Sequence, residues 1–155
     1  MGAISPFELG ATLYVPATHP DLLSIATGQK IQGLRSMVIC LEDAVAEADV
    51  PTAIDAVTAV NTAMAARRPG ENHPVLFVRP RHLAMAEHLI TSCSMAGFYG
   101  LVLPKFNRST LQAWLNATRD SHLMWMPTLE DASVFDSEEM RALALELKAH
   151  AADRI

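Results

Sequence analysis

The side chains best suited to chemistry in this sequence stand directly after short apolar runs. They are, in chain order, Thr18-His19, Glu42-Asp43, Arg79-Pro80-Arg81, Pro104-Lys105 and Glu130-Asp131. Carboxylates can bind a hard cation or move a proton, and a guanidinium can hold a carboxylate through two parallel hydrogen bonds. Such groups can act together only if the fold brings these positions to one place.

The apolar runs that precede them have the character of buried strands. The predicted strands are Thr12–Ala17, Ser36–Leu41, Pro74–Val78, Gly100–Leu103 and Leu123–Met126. They are short, rich in aliphatic side chains and almost free of polar residues, as is typical of parallel strands covered on both faces. They recur in units of about 30 residues, the size of one strand and helix repeat. The alternation predicts an α/β protein with a parallel sheet, in one domain that spans residues 1–155.

The segments between the runs carry helix signals. The predicted helix starts are Pro20, Asp49, His82, Ser109 and the capping-box-like Asp136-x-x-Glu139. On the first helix, Leu22, Leu23 and Ala26 are expected to face inward. The third is expected to run from about His82 to Ser94 and to be closed by Gly97.

Parallel α/β folds gather their chemistry at the carboxyl ends of the strands, which meet on one rim. A charged residue in a single loop is most often only a solvated side chain. The same placement after strand upon strand favours a common site on that rim. The sequence therefore predicts that the acidic and basic residues listed above converge.

Composition excludes several classes of function. The net charge of -5 and the scattered basic residues argue against nucleic-acid binding. The sequence contains no run of about 18 apolar residues, the length needed to cross a membrane. Met1–Gly10 does not resemble a secretory signal. Cys40 and Cys93 lie in no Cys-x-x-Cys motif, which favours free thiols in a reduced cytoplasm. The histidines show no metal-binding spacing, and no glycine-rich nucleotide loop is present.

Five blocks together carry a family resemblance. They are Leu13–Ala17, Ile39–Val45, Val78-Arg79, Leu103–Lys105 and Pro127–Glu130. In order and spacing, the chain resembles the aldolase and citrate lyase beta-subunit superfamily, particularly its CoA-ester lyase branch; the Leu-Glu-Asp-Ala-Val block is the most specific. Members are magnesium-dependent barrels that make or break a bond between an acyl-CoA enolate and an oxo-acid. The resemblance implies the first five of the eight strand–helix units of a TIM barrel.

The resemblance also implies a role for each rim residue. Glu130 corresponds to the first metal-binding carboxylate, and Arg79 to the arginine that grips the substrate carboxylate. Glu42 and Asp43 correspond to an acidic pair near the metal waters and the substrate, either of which could move the proton. Lys105 corresponds to a residue on the same rim. The implied cofactor is Mg²⁺ and the implied substrate an oxo-acid or a CoA thioester, although no residue identifies a CoA pocket.

One departure from the family pattern concerns the metal. The second metal carboxylate of the family, an aspartate after the sixth strand, has no counterpart in the sequence. We therefore expect the 155-residue polypeptide to bind Mg²⁺ weakly and to show little or no lyase activity on its own. The open edges of a five-unit sheet would also need cover, which predicts a homo-oligomer.

Two other hypotheses are compatible with five strand–helix units. A doubly wound signalling module, such as a phosphoacceptor receiver, would have the strand order 2-1-3-4-5, whereas barrel units would be sequential. Its acidic pair would also follow strand 1, whereas here Glu42-Asp43 follows strand 2. A non-catalytic interaction protein would complete its sheet with another chain.

Overall fold

The protein is described by a computed structural model that covers residues 4–68 and 71–155. Within these residues the strands are β1 (Leu13–Pro16), β2 (Ser36–Cys40), β3 (Val75–Arg79), β4 (Gly100–Leu103) and β5 (Met124–Pro127). The α-helices are α1 (Leu22–Ala26), α2 (Val50–Ala65), α3 (Leu83–Cys93), α4 (Arg108–Ala117) and α5 (Ser137–His150). Short 3₁₀ helices span Pro6–Leu9, Glu47–Asp49 and Ala132–Phe135.

The five strands form one parallel sheet in the sequential order β1-β2-β3-β4-β5. This order confirms the predicted α/β class and the barrel-type units. It also excludes the receiver-like alternative, because a doubly wound sheet reverses its strand order at a switch point. Each predicted strand coincides with an observed strand to within one residue at either end.

The five described α-helices pack on one face of the sheet, as helices do around a barrel. The core of that face takes residues from every strand and every α-helix; examples are Val15, Ile39, Val78, Leu101, Trp125, Ile25, Val57, Leu89, Trp114 and Leu143. A separate small cluster of Val38, Phe77 and Val102 lies on the other face. Because side chains alternate along a strand, each strand sends one set outward to the helices and one set to the inner face.

The amino-terminal end of the inner face is closed by the segment around Pro6–Leu9. The main-chain N–H of Ile4 donates to the Tyr99 hydroxyl at 2.8 Å, and the Ser36 hydroxyl donates to the Leu9 carbonyl at 2.8 Å. Gly100 lies opposite β5, where an added Cβ would clash with the Met124 carbonyl oxygen. The opposite, carboxyl end of the inner face is where the polar residues lie.

The predicted helix starts hold for three helices and shift for two. His82 and Asp136 cap α3 and α5 through their side chains, and Asp49 precedes α2 without a side-chain bond. Helix α4 begins one residue early because Asn107 caps it by accepting from the Thr110 N–H at 3.2 Å. Helix α1 begins at Leu22, and the expectation that Leu23 faces inward was wrong.

On α1 the buried positions are Leu22, Ile25 and Ala26, whereas Leu23 is 48% exposed. Helical periodicity explains the difference. Ile25 and Ala26 lie three and four residues after Leu22 and share its face. Leu23 lies one residue off that face.

Gly97 does not close α3 as predicted. The helix ends at Cys93, and Ser94 and Met95 take the left-handed conformation with φ of 51° and 53°. Asn61 makes this ending possible, since its side chain donates to the Cys93 carbonyl at 2.5 Å and accepts from the Gly97 N–H at 2.8 Å. Gly97 is needed for space, because an added Cβ would lie 2.7 Å from the Asn61 carbonyl oxygen.

Among the described helices, none has the length and apolar character needed to cross a membrane.

Candidate active site

The strand ends place Glu42 and Arg79 side by side on the inner face. Cys40 of β2 pairs in register with Arg79 of β3, and the Leu41 N–H donates to the Arg79 carbonyl at 2.9 Å. Side chains alternate along an extended chain, so Glu42 points to the same face as Cys40. The sheet itself therefore brings a carboxylate next to a guanidinium at its carboxyl rim.

Arg79 joins two carboxylates through one nitrogen. Its Nη2 atom forms an ion pair with Oε2 of Glu42 and lies 3.1 Å and 3.2 Å from Oε1 and Oε2 of Glu130. The side chains of Arg79 and Glu42 are 15% and 7% exposed, whereas that of Glu130 is 37% exposed. The cluster thus has a buried half at β2 and β3 and an open half at Glu130.

The charge of Arg79 is secured by its surroundings. Burial alone lowers the pKa of this guanidinium, but the carboxylates of Glu42 and Glu130 raise it above its ordinary value. In the described part of the chain, Oε1 of Glu42 and Nε of Arg79 are buried without a hydrogen-bond partner. Buried polar atoms normally find partners, so these two atoms are exceptions among the described side chains.

The segments after β4 and β5 hold Glu130 in place. The main-chain N–H of Lys105 donates to Oε1 of Glu130 at 2.9 Å, and Lys105 has a left-handed φ of 48°. The Lys105 side chain is exposed. Thr128 ties the two segments together, since its N–H and its hydroxyl both donate to the Leu103 carbonyl, at 3.0 Å and 2.6 Å.

Asp43 is turned away from this cluster. Its side chain is exposed and forms no hydrogen bond or ion pair within residues 4–68 and 71–155. Its loop is held instead by Arg81, which donates to the Val45 carbonyl and lies 3.2 Å from an oxygen of Glu47. Asp43 therefore lies directly after Glu42 on a tethered loop, with its side chain exposed.

Asp131 has a structural role in spite of its position beside Glu130. It accepts from the Ser133 N–H at 2.8 Å and from the Ser133 hydroxyl, and Asn107 donates to it at 2.6 Å. The hydrogen bonds from Ser133, followed by that from Asn107, lower the pKa of Asp131. Asp131 thus links the start of the Ala132–Phe135 turn to the cap of α4.

His19 also has a local structural role, in the turn before α1. Its Nδ1 atom accepts from the Asp21 N–H at 3.1 Å, just before α1 begins. Over the described residues, no group of three or more His, Cys, Asp and Glu side chains is arranged to hold a metal. The histidines therefore form no metal centre of their own there.

Comparison with known families decides the class of the protein. Residues 3–155 match the family described as C–C bond lyase of the TIM-barrel fold. The chain belongs to this family. It is accordingly an enzyme of the lyase class, and its sequential parallel sheet agrees with that assignment. Among curated protein sequences, none matches the chain.

In this C–C bond lyase, the rim brings together four of the five candidate residues. Glu42, Arg79 and Glu130 meet through their side chains, whereas Lys105 joins them only through its main chain. Asp43 remains outside. Sequence reasoning missed Thr128, although a hydroxyl directly after a buried strand could have suggested a bond to the neighbouring strand end.

Proposed function

We propose that this C–C bond lyase is a magnesium-dependent enzyme of the aldolase and citrate lyase beta-subunit type. Its reaction would break or make the bond between an oxo-acid and the enolate of an acyl-CoA or a related ester. The observation that supports this most is Arg79 held between Glu42 and Glu130 at the rim. An arginine and two acidic groups on one rim suit a substrate that carries a carboxylate and needs a cation.

The donor set fits Mg²⁺. This ion prefers carboxylate oxygens, keeps several waters and is commonly held by only one or two protein carboxylates. Glu130, the more open of the two carboxylates, would hold the ion, and Glu42 would lie beside its waters with the unpartnered Oε1. When bound, Mg²⁺ supplies Lewis-acid polarisation of the oxo-acid carbonyl.

Arg79 would bind the substrate carboxylate. Its contacts with Glu42 and Glu130 all use Nη2, and its Nε has no partner in the described part of the chain. A guanidinium forms its side-on fork with Nε and Nη2, so a substrate carboxylate that takes the place of Glu130 on Nη2 can also meet Nε in bidentate fashion. Arg79 could therefore hold the substrate without leaving Glu42.

Proton transfer falls to Glu42 or Asp43. In the cleavage direction a base removes the hydroxyl proton as the C–C bond breaks, and the enolate carbon later takes up a proton. Glu42 is buried against Arg79, whereas Asp43 is exposed on the loop that follows it. Lys105 places an exposed ammonium group on the same rim, where an anionic substrate would approach.

The CoA portion of the substrate, a reduced cytoplasmic setting and a homo-oligomer complete the proposal. Cys40 and Cys93 are both free thiols, which suits a reducing compartment.

The homo-oligomer is proposed from the edges of the sheet. Strands β1 and β5 are the edges of the described sheet, and exposed strand edges in native proteins are usually covered by another segment or another chain. The main-chain N–H of Trp125, on the β5 edge, already donates to the Arg154 carbonyl at 2.5 Å. Sedimentation at several concentrations would test the oligomer, and a concentration-independent monomer would contradict it.

The catalytic proposal is tested by bond formation. The chain is incubated with acetyl-CoA and a panel of 2-oxo-acids, with Mg²⁺ or with a chelator, and products are followed by mass spectrometry. Because weak activity is expected, stoichiometric enzyme and long incubations are used. We expect a condensation product that requires Mg²⁺ and is lost in Glu130→Gln. Product formation that is equal with the chelator would overturn the magnesium assignment.

A further inference from the structure

The two segments that follow β4 and β5 are joined by a continuous set of hydrogen bonds. The Leu103 carbonyl accepts from the N–H and the hydroxyl of Thr128, and the Phe106 N–H donates to the Thr128 carbonyl at 3.0 Å. Between these bonds, the Lys105 N–H donates to Oε1 of Glu130 at 2.9 Å. Glu130 is thus attached to the neighbouring strand end rather than only to its own.

The backbone of Lys105 makes this arrangement possible. With φ of 48° it adopts the left-handed conformation, which residues with a Cβ rarely occupy. Consecutive N–H groups of an extended chain point in opposite directions, but here those of Lys105 and Phe106 both donate to the segment after β5. The turn therefore aims a main-chain donor at the Glu130 carboxylate.

We propose that Lys105 is a positioning residue that acts through its main-chain N–H, and that Thr128 is a second positioning residue that holds the two segments in register. The inference rests on the proposed function, because it assigns both residues to the orientation of the metal-binding Glu130. The Lys105 N–H holds Oε1, whereas among described residues Oε2 meets only Arg79. The carboxylate is therefore oriented before any ligand arrives, which lowers the cost of ordering it on binding.

Three substitutions at Lys105 separate the backbone from the ammonium group. Lys105→Asn, Lys105→Gly and Lys105→Val all remove the positive charge. Glycine and asparagine adopt the left-handed conformation readily, whereas a β-branched valine resists it. In calorimetric titrations with Mg²⁺, we expect Lys105→Asn and Lys105→Gly to stay within about twofold of the wild-type affinity, and Lys105→Val to lose about tenfold.

A matched pair at Thr128 keeps the test independent of the Lys105 turn. Thr128→Ser retains the hydroxyl that donates to the Leu103 carbonyl, and Thr128→Val removes it with little change of shape. We expect Thr128→Val to weaken Mg²⁺ binding by about fivefold, as the loss of one hydrogen bond would. Thr128→Ser should bind Mg²⁺ with the wild-type affinity. Thermal unfolding of both variants shows that they are folded.

Hydrogen exchange gives a readout that needs no metal. In the metal-free protein the Lys105 amide should be protected by Glu130, and Glu130→Ala should remove that protection. The Phe106 amide is the internal control, because it donates to the Thr128 carbonyl and should remain unchanged. Equal protection of Lys105 in the wild type and in Glu130→Ala would overturn the proposed contact.

The outcomes distinguish this inference from the proposed function. If Glu130→Gln binds Mg²⁺ as well as the wild type, the metal assignment fails and the positioning role falls with it. If Glu130→Gln weakens binding but the three Lys105 variants lose affinity equally, the ammonium group is what acts and the backbone role is overturned. If binding depends on Glu130 while Lys105→Val and Thr128→Val both match the wild type, neither residue positions it.

Discussion

The guanidinium of Arg79 touches both oxygens of Glu130 through the same nitrogen, with Nη2 at 3.1 Å from Oε1 and at 3.2 Å from Oε2. That nitrogen also forms an ion pair with Oε2 of Glu42. Two carboxylates from distant parts of the chain are thus held around one cation. Since like charges at such short range repel each other, the arrangement depends on a cation between them.

Removal of that cation should destabilise the fold. Glu42 is 7% exposed, so Arg79→Gln would leave a buried carboxylate with no opposite charge. The loss of one partner of a buried ion pair costs about 3 kcal/mol. We expect a decrease of that order in the free energy of unfolding, measured by urea denaturation at neutral pH.

Arg79→Lys serves as the control for this prediction. Lysine retains the positive charge but lacks the planar fork, so the loss should be smaller, about 1 kcal/mol. A change of less than about 0.5 kcal/mol in Arg79→Gln would be typical of an exposed ion pair and would contradict the buried character of Glu42.

The fold was largely predictable because burial on both faces leaves a simple signal. Every residue of β2 is buried, and the same apolar continuity marks β3 and β4. Helix details were less accessible. The ending of α3 at Cys93 depends on the side chain of Asn61, a residue from another helix. No local sequence pattern contains that contact, so the prediction that Gly97 closes α3 was wrong.

The site was predictable in position but not in orientation. The rule that polar residues gather at strand ends located Glu42, Arg79 and Glu130. It could not separate Glu130 from Asp131, because one turns to the rim and the other caps a turn. The left-handed turn at Lys105 depends on how two segments meet in space, so the sequence suggested a side-chain role where the structure shows a main-chain contact.

Glu42 and Asp43 can be separated by their effects on stability and turnover. Asp43→Asn alters an exposed side chain and should leave the free energy of unfolding within about 0.5 kcal/mol of the wild type. If Asp43 moves the proton, the rate of product formation with stoichiometric enzyme should fall by about 100-fold or more, that is, to below detection for a weakly active chain. Glu42→Gln should instead lower stability as well, because Arg79 loses its buried partner.

Urea denaturation and product formation with stoichiometric enzyme, followed by mass spectrometry, check this assignment on both variants. An unchanged rate in Asp43→Asn, with a loss confined to Glu42→Gln, would assign the proton transfer to Glu42. The wild type measured in parallel provides the reference for both quantities. Since Asp43 has no contact in the described residues, any large loss of stability in Asp43→Asn would contradict its placement.

The hydrogen bonds of Asp131 predict a pH-dependent contribution to stability. Its pKa in the folded protein is lowered by Ser133 and Asn107 from the ordinary 3.8. A lowered folded-state pKa means that this stabilisation is fully present above pH 3.8 and is lost as the pH falls through the lower value. Asp131→Ala should therefore be less stable than the wild type at neutral pH, and the difference should shrink under strongly acidic conditions.

Denaturant unfolding of the two proteins over that pH range measures the difference. Asp120→Ala is a suitable control, because Asp120 is exposed and has no hydrogen bond or ion pair among the residues that the structure describes. A gap between Asp131→Ala and the wild type that stays constant down to the lowest pH would contradict the role of the ionised carboxylate.

Exchange of partners at Arg79 should couple the binding of Mg²⁺ to that of a carboxylate substrate. Glu130 must release Arg79, at least in part, to hold a cation, and a substrate carboxylate can take its place on the guanidinium. Each ligand therefore removes a competitor of the other. Coupling of this kind is reciprocal and is commonly fivefold or more, that is about 1 kcal/mol.

Calorimetric titration of Mg²⁺ with and without propionate measures this coupling, because propionate carries the carboxylate but lacks the chelating oxo group. We expect propionate to raise the Mg²⁺ affinity of the wild type by about fivefold. In Arg79→Gln, Mg²⁺ should bind more tightly than in the wild type, since the competing cation is gone, and propionate should have no effect. Weaker Mg²⁺ binding in Arg79→Gln would instead show that Arg79 supports the metal site rather than competes for it.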